Sequence, residues 1–452
     1  MWFSKSCFVG FLVLLFCAPQ SRAQTAAVYW NNVDQVIDGF GASTAFEGGR
    51  LTSSQASFFF SPKSGIGLSL LRTMVPHDGS CATVNAICAG EVSDMQFAIA
   101  NGARVWSTPW SPPASMKSND SVDNGGTLLP GSYEAYAVYL SNYIRSLSSL
   151  YGINLYALSI QNEPNYPHVY PTAIWTAQNF HDFILNNLGP TLAANGQSRV
   201  RIMLPESSDW SSFADDSTIT MTDPAARAYV GITAWHDYDD APAITNPFGS
   251  LAKGFWQTEA SAGVGYGPSL CGGCWDPSMA DALLWATILD NRMAVANANA
   301  WNWWLLFDDL NTNNGGLIGP DGVTVSKRTY MLGNYSKFVR PGFNRIDATH
   351  APQSGVLVSA YRDLAGGALV IVVINRNTSN VSQSFTLNGT TVPSVTPWIT
   401  SANFDLLQQS DVSVNGGSFT YTLPASSVTS FVGNTTQVAS PAPPSRLTFT
   451  ID

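Results

Sequence analysis

The chain has 452 residues, a net charge of −10 and 31 Asp and Glu against 21 Lys and Arg. That acidity excludes nucleic acid and anionic membranes as partners. Only 12% of residues are charged while 12% are aromatic, a balance suited to a neutral ligand with apolar ring faces, such as a sugar.

In chain order, an apolar run from Cys7 to Ala18 is followed by Ser21-Arg22-Ala23. This reads as a signal peptide over 1–23, cleaved after Ala23, and predicts a secreted, extracellular protein. No later run is long enough for a membrane span, so no membrane partner is expected. Cys7 and Cys17 leave with the signal. The remaining Cys81, Cys88, Cys271 and Cys274 allow three connectivities, with local pairing Cys81–Cys88 and Cys271–Cys274 the expected one. A single C-x-x-C and five scattered His give no zinc pattern, and neither a metal nor an organic cofactor is expected. Glycosylation acceptors stand at Asn119, Asn334, Asn377, Asn380, Asn388 and Asn434.

Eight short apolar runs follow: Val36–Gly41, Leu68–Val75, Ala103–Trp110, Leu155–Gln161, Val200–Leu204, Val230–Trp235, Gly254–Glu259 and Ala300–Leu306. Near-continuous apolar strands belong to parallel sheets covered on both faces. Helical spacing appears between them over Ser132–Leu150, Ile174–Leu188 and Met279–Asn297. The alternation predicts an α/β fold, a (β/α)8 TIM barrel over 36–340. A doubly wound sheet lacks support, because no G-x-G-x-x-G follows the first strand. Short strands at Val356–Tyr361, Ala368–Ile374, Ser382–Leu387, Phe404–Leu407 and Ser418–Leu423 predict a C-terminal β-sandwich side domain and tail over 341–452, with segment 24–35 adding a strand to it. Pro441-Ala442-Pro443-Pro444 reads as a linker.

Catalytic groups of such barrels sit at the C-terminal strand tips. These tips carry Arg72, then Trp110, Asn162 with Glu163, His236 with Tyr238, Glu259, and finally Trp301 and Trp303. A lone Asn162-Glu163-Pro164 has an ordinary structural explanation; two glutamates on opposite strands of one Trp-lined mouth do not. A carboxyl pair of this kind suits glycosidic bond cleavage. Arg72 and Tyr238 would keep Glu259 ionised while Glu163 stays protonated until needed.

The ordered set Asp38-Gly39-Phe40-Gly41, Pro109-Trp110-Ser111-Pro112-Pro113, Ser159-Ile160-Gln161-Asn162-Glu163-Pro164, Gln257-Thr258-Glu259-Ala260, Asn302-Trp303-Trp304 and Ser336-Lys337-Phe338-Val339-Arg340-Pro341-Gly342 resembles glycoside hydrolase family 30, in its xylanase-like branch. The resemblance spans about 34–345. It implies a retaining mechanism with Glu163 as acid/base and Glu259 as nucleophile. It also implies sugar-binding aromatics at Trp110, Tyr166 and Trp303, with His236 and Tyr238 supporting the nucleophile. Glucuronoxylanases of that branch bind a glucuronate carboxylate through an Arg soon after the tryptophans. Here Phe307-Asp308-Asp309 stands in its place, and Arg50 is the alternative source of charge. The expectation is a monomeric, secreted endo-β-1,4-xylanase acting on a polysaccharide such as plant cell-wall xylan. The alternatives are an exo-acting xylobiohydrolase, a β-1,6-glucanase, a β-1,6-galactanase, a glucosylceramidase, or a non-catalytic carbohydrate-binding protein.

Overall fold

The computed structural model describes residues 25–82, 91–239, 245–308 and 313–436. The expected signal segment, Cys88, Asp309 and the linker at Pro441–Pro444 lie outside the described residues.

Strand β1, Ala26–Val36, precedes the barrel. The barrel strands are β2 Gly39–Ser43, β3 Leu70–Val75, β4 Arg104–Pro109, β5 Ala157–Ser159, β6 Arg201–Ser207, β7 Val230–His236, β8 Phe255–Glu259 and β9 Ala300–Phe307. Consecutive strands pair in parallel, and β9 pairs with both β8 and β2, closing the ring. A short strand β10, Gly316–Ile318, lies beside β9.

Leu70, Trp106, Ala157, Met203, Ile232, Ala234, Trp256 and Ala300 form a small apolar core inside the ring. Trp106 and Trp256 meet there edge-on, at 6.0 Å. Two residues further along the same strands stand Arg72, Thr108 and His236. Side chains of one strand face repeat every second residue, so an inward face that is dry low in the barrel becomes polar at its C-terminal end. The Gly of the Asp38-Gly39-Phe40-Gly41 motif serves close packing: a Cβ on Gly41 would stand 2.4 Å from Asn302 Oδ1 and 2.6 Å from the Leu70 carbonyl.

The rest of the chain forms β11 Asn344–Ala348, β12 Val356–Arg362, β13 Ala368–Asn375, β14 Val381–Asn388, β15 Ser394–Thr400, β16 Leu407–Gln408, β17 Val412–Ser413, β18 Ser418–Leu423 and β19 Ser427–Asn434. β1 joins them, antiparallel to β11 and parallel to β14. Their shared core includes Trp30, Ile371, Phe385, Phe419 and Phe431. The molecule is thus a TIM barrel with a β-sandwich side domain.

Three strand expectations need correction. Of the run Phe404–Leu407, only Leu407 lies in a strand, β16. Val36 ends β1, and the first barrel strand starts at Gly39. The run read as ending at Leu204 continues through Pro205 to Ser207. Proline stops a strand only where its missing N–H is needed, and here the pairing resumes beyond it, at Ser207 with Trp235.

Among the glycosylation acceptors, Asn119, Asn380, Asn388 and Asn434 are exposed and Asn377 is half-buried. Asn334 is a correction. It is fully buried, and its amide nitrogen donates to the Trp398 carbonyl at 2.9 Å and to Ser430 Oγ at 3.0 Å, so no glycan can attach. Cys271 and Cys274 form a disulfide. No helix among the described residues is long and apolar enough to cross a membrane.

Candidate active site

The polar end of the barrel gathers Arg72 from β3, Asn162 and Glu163 just beyond β5, Glu206 from β6, His236 from β7 and Glu259 from β8, all almost wholly buried. Burying so many charges without pairing would be prohibitive, so each has partners. Arg72 contacts Glu259 Oε2 and donates to Asn162 Oδ1 at 2.7 Å; its Nη2 lies 2.8 Å from Glu206 Oε1. Its guanidinium also lies 4.6 Å from the Trp110 ring centroid and 5.6 Å from that of Trp304. Burial lowers the Arg72 pKa, but the charges of Glu206 and Glu259 outweigh it and hold the group above its ordinary value.

Glu259 Oε1 accepts a 2.6 Å hydrogen bond from the Tyr238 hydroxyl, which also lies 3.2 Å from Ser261 Oγ. Tyr238 is pushed well above its ordinary pKa by burial and by the charges of Glu259 and Glu163, so it remains a neutral donor. Tyr266 lies edge-on against it at 5.5 Å.

Glu163 sits at φ +47°, in the left-handed region, where the chain turns sharply after β5. Its amide donates to the Glu206 carbonyl at 3.0 Å and the preceding Asn162 amide to the Pro109 carbonyl at 2.9 Å, so the turn is tied to both neighbouring strands. One carboxylate oxygen lies 3.0 Å from His236 Nδ1. The other lies 2.5 Å from His168 Nε2 and accepts from the Tyr170 hydroxyl at 3.2 Å. Burial raises the Glu163 pKa, but hydrogen bonds and charge from His168 and His236 prevail and lower it. This corrects the expectation of a protonated Glu163. Burial likewise lowers His236, but Glu259, Glu163 and Glu206 together raise it to about 9. The two shifts together favour the proton of this pair on the imidazole.

Glu206 was not anticipated. Its Oε2 accepts from Thr108 Oγ1 at 3.0 Å. Burial raises its pKa, but Arg72 and His236 more than offset this and keep it ionised. It stands near the C-terminal end of β6, a strand expected to stop at Leu204. An acid two residues beyond an apolar run is the same signal that marks Glu163. His168 and Tyr170 lie on the loop after β5, and the sequence marks them only as aromatic.

Arg72, Asn162, His236 and Tyr238 converge on the two glutamates as expected. Tyr166 lies on the rim, 56% exposed, with its ring 4.6 Å from that of His168. Trp110 reaches the mouth but is 2% exposed, covered by Phe46 at 5.1 Å and flanked by Trp304 at 5.8 Å. Trp301 and Trp303 do not enter the site. They are buried on the outer face of β9, where Trp303 packs edge-on against Trp285 and donates its indole N–H to the Gly315 carbonyl at 2.6 Å. Trp304, one residue on and facing inward, takes their place; strand alternation is the physical reason.

A ring nitrogen of His236 and one oxygen each of Glu163 and Glu259 lie within 4.8 Å of one another. The trio has the spacing of a metal site, but its chemistry is unfavourable. The oxygens already take contacts from Arg72, Tyr238 and His168, and a protonated imidazole has no lone pair facing the centre. The arrangement suits proton transfer between paired carboxylates.

Residues 92–314 match the family model for the glycosyl hydrolase family 30 TIM-barrel domain, and 344–431 match that for the family 30 β-sandwich domain. The chain is 33% identical over 415 residues to glucuronoxylanase XynC of Bacillus subtilis, covering 88% of this chain and 89% of that protein. The subfamily 8 xylanase Xyn30A of Clostridium acetobutylicum superposes with a TM-score of 0.79 at 33% identity, over 91% of this chain and 99% of that one. Xylanase C of Talaromyces cellulolyticus gives 0.76 at 27% identity, over 91% and 100%.

Proposed function

The chain belongs to glycosyl hydrolase family 30, and from that membership we propose that it is a secreted, retaining endo-β-1,4-xylanase. The observation that carries the mechanism is the proximity of Glu163 and Glu259, with one oxygen of each inside a 4.8 Å cluster. Carboxyls about 5–5.5 Å apart are spaced for a covalent intermediate, whereas inverting pairs leave room for a water between them.

In the first step Glu259 Oε attacks the anomeric carbon, the glycosidic C–O bond breaks, and Glu163 gives its proton to the departing oxygen. In the second, Glu163 takes a proton from water, the water oxygen attacks the same carbon, and Glu259 leaves as carboxylate. A sugar seated in the cleft excludes water. That strengthens the desolvation already acting on Glu163 and moves the shared proton from His236 onto it. Arg72 and Tyr238 hold Glu259 ionised and aimed.

Xylan is favoured because the relatives at 33% identity carry the names glucuronoxylanase and xylanase. Replacing Glu259 by Gln is expected to abolish reducing-sugar release from xylan with the melting temperature nearly unchanged; substantial residual turnover would remove Glu259 from the nucleophile's role. Release from β-1,6-glucan or β-1,6-galactan in preference to xylan would move the substrate elsewhere in the family.

A glucuronate-directed reading is favoured by one observation. The Arg50 guanidinium, which also contacts the Glu47 carboxylate, lies over the Phe307 ring, 5.4 Å from its centroid, and brings a donor group to the tip of β9 from the loop after β2. Arg50→Gln should then slow cleavage of glucuronoxylan more than that of unsubstituted xylan.

A further inference from the structure

At the opposite end of the barrel, the N-terminal strand ends form three adjoining depressions, of about 170, 370 and 420 Å³. Arg199 lines all three. Arg145 joins it in the first, Arg201 and Lys253 in the second, and Arg104 in the third. Among the described residues no carboxylate lines any of them, in a chain where acids outnumber bases 31 to 21. Arg104, Arg199 and Lys253 are exposed.

The acid just before β2 is committed inward. Asp38 accepts from Tyr156 at 3.1 Å and from Trp256 Nε1 at 2.8 Å, and lies 3.4 Å from Arg201. Arg104 and Arg201 sit at 4.8 and 4.4 Å from the Tyr156 ring centroid, so the ring sets the positions of both guanidiniums. Two neutral amides, Asn154 and Asn195, line the first depression with Arg145 and Arg199; Asn154 Oδ1 accepts from Arg199 at 2.6 Å and Asn195 Nδ2 donates to Ser141 Oγ at 2.9 Å. Tyr229 lies so close to Gly189 that a Cβ there would be 2.4 Å from its ring, and 37% of the tyrosine remains exposed.

We propose that this end of the barrel is a second glycan-binding site, separate from the cleft, that takes a uronate-bearing polysaccharide. Dispersed guanidiniums pair with carboxylates spaced along a chain. Neutral amides bind hydroxyls, and an exposed tyrosine face stacks on a pyranose ring. A phosphate-dense polyanion fits less well. Its charges are denser than dispersed cations can match, and the net charge of −10 repels it more strongly than a chain with one carboxylate per sugar. The assignment draws its polysaccharide class from the proposed function, but its geometry stands apart from the glutamates.

Native affinity electrophoresis of the full chain through gels containing polygalacturonate, neutral arabinoxylan or duplex DNA tests this. Polygalacturonate carries uronates without being a xylan, so its outcome does not depend on the xylanase reading. Retardation by polygalacturonate is expected and should persist in an Arg50→Gln control, while any retardation by arabinoxylan, a ligand of the cleft, should be the same in wild type and in variants of the cationic end. The triple change Arg104→Gln, Arg199→Gln, Lys253→Gln should weaken retardation at least threefold while hydrolysis of a short xylo-oligosaccharide is unchanged. If the triple variant melts early, Lys253→Glu alone should still weaken retardation. Equal retardation of wild type and cationic-end variants by polygalacturonate, or retardation by DNA matching that by polygalacturonate, would overturn the proposal. Failure to hydrolyse any xylan would remove the proposed function and leave this result standing.

Discussion

Two imidazoles hold Glu163 as a carboxylate: His236 Nδ1 at 3.0 Å and His168 Nε2 at 2.5 Å. The proposed mechanism needs one proton on the Glu163–His236 pair, whichever atom carries it. That proton is lost as pH rises through the value set by His236, about 9, which places the alkaline limb of kcat/KM there. His236→Gln leaves the proton to the carboxyl alone and should move this limb to lower pH; an unmoved limb would disconnect His236 from the titration. The tryptophans of β9 give a second contrast. Trp303→Ala opens a cavity against Trp285 and should cost about 3–5 kcal/mol of stability. Trp304→Ala should cost far less stability and instead raise KM, since the ring flanks Trp110 and Arg72. Urea denaturation and steady-state kinetics separate the two. Glu163 and Glu259 were legible in the sequence because each ends an apolar run abruptly. Trp304 was not, because a run of adjacent apolar residues hides which parity faces inward. Glu206 was hidden by Pro205, a residue that usually ends a strand.

Among the elements, the strands were legible because both faces are buried and the runs stand out. Several helices were not. The helix Trp210–Thr222 is rich in Ser, Thr and Asp, poor helix formers, and its start depends on a cap. Asp209 accepts from the Ser212 amide at 2.8 Å, and its other oxygen accepts from Asn165 Nδ2 at 3.0 Å. One side chain thus caps the helix after β6 and ties down the loop after Glu163. Asp209→Ala is expected to cost about 1 kcal/mol from the lost cap and to raise KM through the loosened loop. Thermal melts and kinetics on the same sample check both, and a stability loss with KM unchanged would show the tie to be structural only. The side domain's β15 and β19 were missed for another reason: Pro397 interrupts one, and the other begins among serines.

Across the whole molecule, the two cores meet where the barrel helix Met279–Asp290 reaches the side domain. His350 Nε2 lies 2.6 Å from Asp290 Oδ2 there. The hydrogen bond to Asp290 outweighs burial and raises the His350 pKa above its ordinary value. A raised folded pKa adds stability below the unfolded value, about 6.5, and that stability disappears as pH rises through the folded value. The wild type should therefore lose more melting temperature than His350→Asn between pH 5.5 and 8.5. Equal slopes would show that the pair contributes nothing to holding the domains. The barrel as a whole was legible from eight alternations of strand and helix. The cationic end opposite the cleft was not, because its residues come from the starts of different strands and only closure of the ring brings them together.

The most direct test of the central claim is mass spectrometry of the protein after incubation with a 2-deoxy-2-fluoro-xylobioside bearing a good leaving group. A stable adduct of one fluorinated disaccharide on the peptide containing Glu259 is expected. An adduct on Glu163 or Glu206, or continued turnover of the reagent with no adduct on any residue, would contradict it.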